Sequence, residues 1–129
     1  MDRGGRSLTT NDFTKSLIAL ACWRAAKTEL HAVMLGALMV FKNRAEIEHK
    51  EVYEVATAWL DEYPDFSGYP DERDPQFQQL LAKMDAILGG LVPDKTGGAL
   101  WFVPKSHLKE GALQSFTQTC SIGQMTFWR

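Results

Sequence analysis

Ala32 to Phe41 reads Ala-Val-Met-Leu-Gly-Ala-Leu-Met-Val-Phe, the longest unbroken apolar stretch of the chain. It falls well short of the roughly 18 apolar residues that a membrane-spanning helix needs, so it predicts a core helix and no membrane insertion. Bounded by His31 and Asn43, it is expected to be the most buried helix of the fold. Gly36 within it costs about 1 kcal/mol relative to Ala in a helix interior, which points to close approach by a neighbour. A chain of 129 residues encloses one such core and not two.

Other elements group around this segment. Phe13, Leu17, Leu20 and Ala21 fall at helical spacing and predict a first helix over 10–28, with Thr9 and Asp12 as a loose capping box. Residues 1–8 read as a flexible lead, and 9–129 as a single domain. Val52, Val55, Ala56 and Trp59 share one face of a shorter helix over 50–60. Tyr63 to Pro70 is an aromatic loop punctuated by Pro and Gly. Asp74-Pro75 marks a helix start, with Asp as N-cap and Pro in the first turn, and Gly89-Gly90 marks its end. Asp94 to Gly98 is a turn. Ala99–Val103 is a short apolar strand, and the Thr- and aromatic-rich tail, 114–129, pairs with it as a small antiparallel sheet. The expected class is α+β, mainly α-helical.

Charge narrows the possible partners. Fourteen basic and 16 acidic residues give a net charge of −2, which excludes a strongly basic nucleic-acid binder and an acidic disordered tail. Cys22 and Cys120 lie far apart without a CxxC pattern and read as reduced, packed thiols. His31, His49 and His107 form no ligand pair at metal-binding spacing, so neither a metal nor another cofactor is expected. The opening residues, Met1 to Arg6, lack a hydrophobic signal core. The sequence therefore predicts synthesis in the cytoplasm without a signal peptide.

Three separated stretches carry a family resemblance. They are Leu17 to Glu46, LIALACWRAAKTELHAVMLGALMVFKNRAE; Asp94 to Phe102, DKTGGALWF; and Ile122 to Phe127, IGQMTF. In this order they resemble the cell-wall hydrolase family of spore cortex-lytic enzymes (the SleB/CwlJ type), which includes phage endolysin-like members. The resemblance covers nearly the whole chain. It implies a lysozyme-like fold, close to goose-type lysozymes and lytic transglycosylases. It also implies cleavage of the glycan strand of peptidoglycan, or of a related amino-sugar polymer, by a monomer that uses no metal. Action on the cell wall then implies phage-type release, or a chain trimmed of its signal.

The resemblance also exposes a departure. The family's general acid is the first Glu of an E-A-[RK]-[GT]-E motif, and Ala25 stands at that position here, while the second Glu survives as Glu29. Cleaving a glycosidic bond requires a proton for the leaving oxygen. A lytic transglycosylase manages with one carboxyl, acting first as acid and then as base. Three readings follow: an inactive Glu-to-Ala variant of an enzyme, a non-catalytic module that binds amino-sugar glycan, or an enzyme in which Glu29 is the working acid. Glu29 lies four residues after Ala25, the spacing of one helix face.

The remaining candidates each have a plainer alternative. Trp23, Tyr63, Phe66, Tyr69 and Trp101 are suited to stacking on sugar rings or, otherwise, to core packing; Ser67 follows Phe66 where the family often has a Phe-Ser pair. Thr96, Gly97 and Gly98 form the second signature, which either offers backbone groups to a glycan's acetamido groups or makes an ordinary turn. Arg44 reads as a charge complementing a helix C-terminus. Arg24 and Lys27 are expected to face solvent or substrate phosphate. Met125 replaces the family's common His. A third functional class, a peptidase or amidase using Cys22 or Cys120 with a histidine, has little support, because Cys22 falls mid-helix among apolar residues.

Overall fold

The computed structural model describes residues 10–71, 73–108 and 114–129. The expected lead over 1–8, and Thr9 of the capping box, lie outside the described residues. Four helices come first: α1 (Thr10–Ala26), α2 (His31–Glu48), α3 (Val52–Glu62) and α4 (Pro75–Leu88). Strands β1 (Trp101–Pro104), β2 (Gln118–Ile122) and β3 (Met125–Trp128) follow, with a 3-10 turn over Lys105–His107 after β1. The class is α+β and mainly helical, with the sheet near the C-terminus.

The apolar segment is the axis of the fold. From Val33 to Phe41 every residue of α2 except Leu35 is buried, and α1, α3, α4 and β1 all pack against this helix. Phe41 meets Trp59 of α3 at 6.0 Å and Phe102 of β1 at 5.7 Å between ring centroids, both edge-on. Gly36 lies against the ring of Phe127 on β3, as its lack of a side chain implied. The helix continues past Asn43 to Glu48, one turn beyond expectation. Pairs at i,i+4 support that turn, Lys42 with Glu46 at 3.0 Å and Arg44 with Glu48 at 3.2 Å.

The two ends of α4 follow their sequence signals. The Asp74 carboxylate accepts hydrogen bonds from the N–H groups of Gln76 and Phe77, Pro75 occupies the first turn, and Gly89 closes the helix. The α3 helix starts at Val52, two residues later than expected, behind a reciprocal capping box of Glu51 and Glu54. In the sheet β3 is central, in the order β1-β3-β2 with both pairings antiparallel. Ile122 pairs with Met125 across Gly123-Gln124. Gly123 has a positive φ of 56°, which the first position of such a tight hairpin turn requires.

The first helix ends earlier than expected, at Ala26 and not at 28. The Glu29 N–H bonds back to the Ala26 carbonyl at 3.0 Å, closing a turn that leads into α2. Glu29 is therefore not on α1, and the expectation that it shares a helix face with Ala25 is corrected.

Candidate functional site

The C-terminal turn of α1 is clasped by the aromatic loop. Arg24 donates from Nε to the Gly68 carbonyl at 2.7 Å, and its guanidinium lies 4.7 Å from the centre of the Tyr69 ring. Lys27 donates to the Ser67 carbonyl and sits over the Trp23 ring at 5.0 Å. The indole N–H of Trp23 reaches the Asp74 carboxylate at 3.1 Å, tying α1 to the start of α4. Gly68, with φ of 100°, fits beneath Lys27 and Trp23, where a side chain would crowd the Lys27 ammonium at 3.1 Å. Lys27 is exposed, as expected, whereas Arg24 is half-buried; the hydrogen bonds that both make to loop carbonyls are ones no spacing rule on α1 could announce. Tyr69 remains 78% exposed.

Ala25 sits in that last helical turn, 5% exposed. Its neighbours one turn back, Ala21 and Cys22, are fully buried. Glu29 faces elsewhere: its Oε1 accepts the Gln124 N–H at 3.0 Å, so its carboxylate clamps the β2–β3 turn.

A second hub is Asp94, read in the sequence as a turn residue and as the start of the second resemblance stretch. Its Oδ1 accepts from the Thr96 N–H at 2.8 Å and the Thr96 hydroxyl at 2.6 Å. Its Oδ2 accepts from the Gly98 N–H at 3.0 Å and from the Asn43 amide at 2.9 Å. Burial raises the pKa of this carboxyl, but the hydrogen bonds from Thr96, Asn43 and Gly98 prevail and hold it below its ordinary value. Asn43 also donates to the Ala99 carbonyl at 3.0 Å, fixing the loop to the side of α2. Thr96 is 1% exposed, and its carbonyl accepts the Thr119 hydroxyl. Gly97 and Gly98 have φ of 70° and 80°. The N–H groups of Thr96 and Gly98 are thereby used within the loop, which makes this signature a joint between α2 and the sheet.

The aromatics divide between two places. Phe66 joins Trp59, Tyr63, Phe102 and His107 around a cleft of about 490 Å³ between α3 and β1. Partial burial and the adjacent Glu62 push the Tyr63 phenol upward. Trp101 points away from the cleft: Arg44 stacks on it at 4.3 Å and Phe116 meets it edge-on at 6.1 Å. The structure therefore brings Trp23, Ser67 and Tyr69 together around Arg24 and Lys27 at the end of α1, while Ala25 on the same turn is buried in the core. Phe66 lies on the cleft, while Thr96, Gly97, Gly98 and Trp101 lie apart. Sequence reasoning missed Trp59, Glu62, Phe102 and His107 as cleft residues, because α3, the aromatic loop and β1 meet only in the folded chain.

The thiols are poorly placed for chemistry. Cys22 is fully buried, and burial pushes its pKa far above the ordinary range. Cys120 is half-buried, with its thiol 3.7 Å from the Lys95 carbonyl. Among the described residues no cluster of His, Cys, Asp and Glu is arranged to hold a metal ion, and no helix is long and apolar enough to cross a membrane.

Comparison with protein-family models, curated proteins and solved structures finds no match to this chain.

Proposed function

We propose that this chain is a divergent domain of the lysozyme-like, glycan-strand-cleaving kind, with the acid position vacant at Ala25, and that it holds peptidoglycan or a related amino-sugar polymer without cutting it. The observation that carries the reading is the setting of residue 25. It lies on the last turn of a helix, buried, with both neighbouring cations led away to the carbonyls of Ser67 and Gly68. A carboxyl in such a place would keep its proton, since burial and the negative end of the helix dipole both disfavour the charged form. A general acid for glycoside cleavage needs that environment. Alanine leaves the environment without the proton donor.

Glu29 as a working acid has less support, because its carboxylate is engaged in holding the hairpin turn. The binding reading draws further support from the exposed Tyr69 beside this turn and from the aromatic cleft. Its test is cosedimentation with purified peptidoglycan, with turbidity followed in parallel. The chain should pellet with the glycan and leave its turbidity unchanged. Clearing of the suspension would restore Glu29 as the acid, and failure to bind would overturn the glycan reading.

A further inference from the structure

We propose that the cleft between α3 and β1 is a subsite for an amino sugar bearing a free ammonium group, a glucosamine unit as opposed to an N-acetylglucosamine unit. This rests on the glycan reading above and names the sugar chemistry that the domain selects. The cleft measures about 490 Å³, within the usual range of small-molecule sites. Its apolar side is a connected set of rings: Trp59 lies 5.4 Å from both Tyr63 and Phe66, and 5.7 Å from Phe102. Such faces suit the C–H faces of a pyranose.

The polar side sets the charge. Glu62 and Asp65 line the cleft, and both are exposed. Among the described residues no lysine or arginine lines it, and neither carboxylate is in an ion pair. A protonated sugar amine brings three N–H donors and one positive charge, complementary to two carboxylates. An acetamido group brings no charge to offset theirs. The lactyl carboxylate of a muramic acid unit would be repelled by Glu62 and Asp65. The rings favour a pyranose, and the carboxylates select the de-N-acetylated form. A cationic peptide is the competing ligand, and the test below includes it.

The experiment is calorimetric titration of the full chain with a glucosamine tetramer, its N-acetylated counterpart and a lysine tetrapeptide. The pH is one at which amines are protonated and carboxylates ionised. Each exposed ion pair contributes up to about fivefold in affinity, so the glucosamine tetramer should bind about tenfold more tightly than the acetylated one. The double variant Glu62→Gln, Asp65→Asn should abolish that preference, the two tetramers then binding equally; circular dichroism verifies its fold. Equal or tighter binding of the acetylated tetramer would overturn this subsite while leaving the glycan reading intact. A preference that survives in the double variant would overturn its placement in this cleft. Equal binding of the lysine peptide would overturn the choice of a sugar. If neither oligosaccharide binds, this inference falls, and cosedimentation with peptidoglycan decides the glycan reading separately.

Discussion

Replacing Gly36 by Ala tests how closely α2 lies against the sheet. A Cβ at residue 36 would stand 2.6 Å from Cζ and 2.9 Å from Cε1 of Phe127. Non-bonded carbons settle at about 3.5–4.0 Å, so the ring or the helix must shift by about 1 Å. Phe127 is fully buried, and its neighbours Met125 and Thr126 are buried too, so a shift of the ring disturbs packed side chains. Overpacking of this kind costs about 1–3 kcal/mol, and a clash at two atoms of a rigid ring places it near the top of that range. Removing a glycine from a helix interior returns about 1 kcal/mol. The net loss is about 2 kcal/mol, or about 6–10 °C in Tm for a domain of this size. Thermal and urea denaturation read the change directly. Adding Phe127→Leu makes room for the new methyl group, so the double variant should be more stable than the two single losses sum to. A rise in Tm on Gly36→Ala would mean that helix propensity acts alone, and would refute the packing described here.

Other expectations follow from the hydrogen-bonded hubs. Asp94→Asn places an amide N–H₂ among donors from Thr96, Gly98 and Asn43 and should lose about 2–3 kcal/mol at neutral pH. Because the Asp94 pKa is depressed in the fold, its contribution is present above the unfolded value and lost as pH falls; the gap between wild type and variant in urea should narrow below about pH 4, and a constant gap would refute the assignment. Glu29→Ala frees the Gln124 N–H and should cost about 1–2 kcal/mol, with the Gln124 amide resonance moving and its exchange with solvent quickening; an unmoved resonance would contradict the clamp. His31, its ring nitrogens shielded from water, has a pKa lowered by burial and then by Lys83. The unfolded chain therefore binds the proton first, and stability should fall as pH drops below about 6.5, a component that His31→Leu removes.

How far the sequence could be read depends on whether each signal is local. Asp74-Pro75 and Gly89 bound α4 because capping acts within a few residues. Gly36 announced a close neighbour because nothing else justifies glycine in a buried helix, although the sequence could not say that the neighbour was Phe127. The end of α1 was misplaced because Lys27 and Thr28 carry no stop signal, while Lys27 is held by the carbonyl of Ser67, forty positions along the chain. Trp23, Ser67 and Tyr69 were each singled out in sequence, but their meeting at the end of α1 depends on those distant carbonyls. Asp94 illustrates the converse. A turn was legible from Asp94-Lys95-Thr96-Gly97-Gly98; the reach of Asn43 across from α2 was not.

The central claim is that residue 25 occupies a general-acid site that lacks only its carboxyl. The most direct measurement places Glu there and incubates Ala25→Glu and the unaltered chain with purified peptidoglycan, identifying soluble products by mass spectrometry. The account predicts products from Ala25→Glu alone, with anhydro-sugar ends marking a transglycosylase and reducing ends a hydrolase. A folded Ala25→Glu protein that binds the glycan yet releases nothing would contradict it.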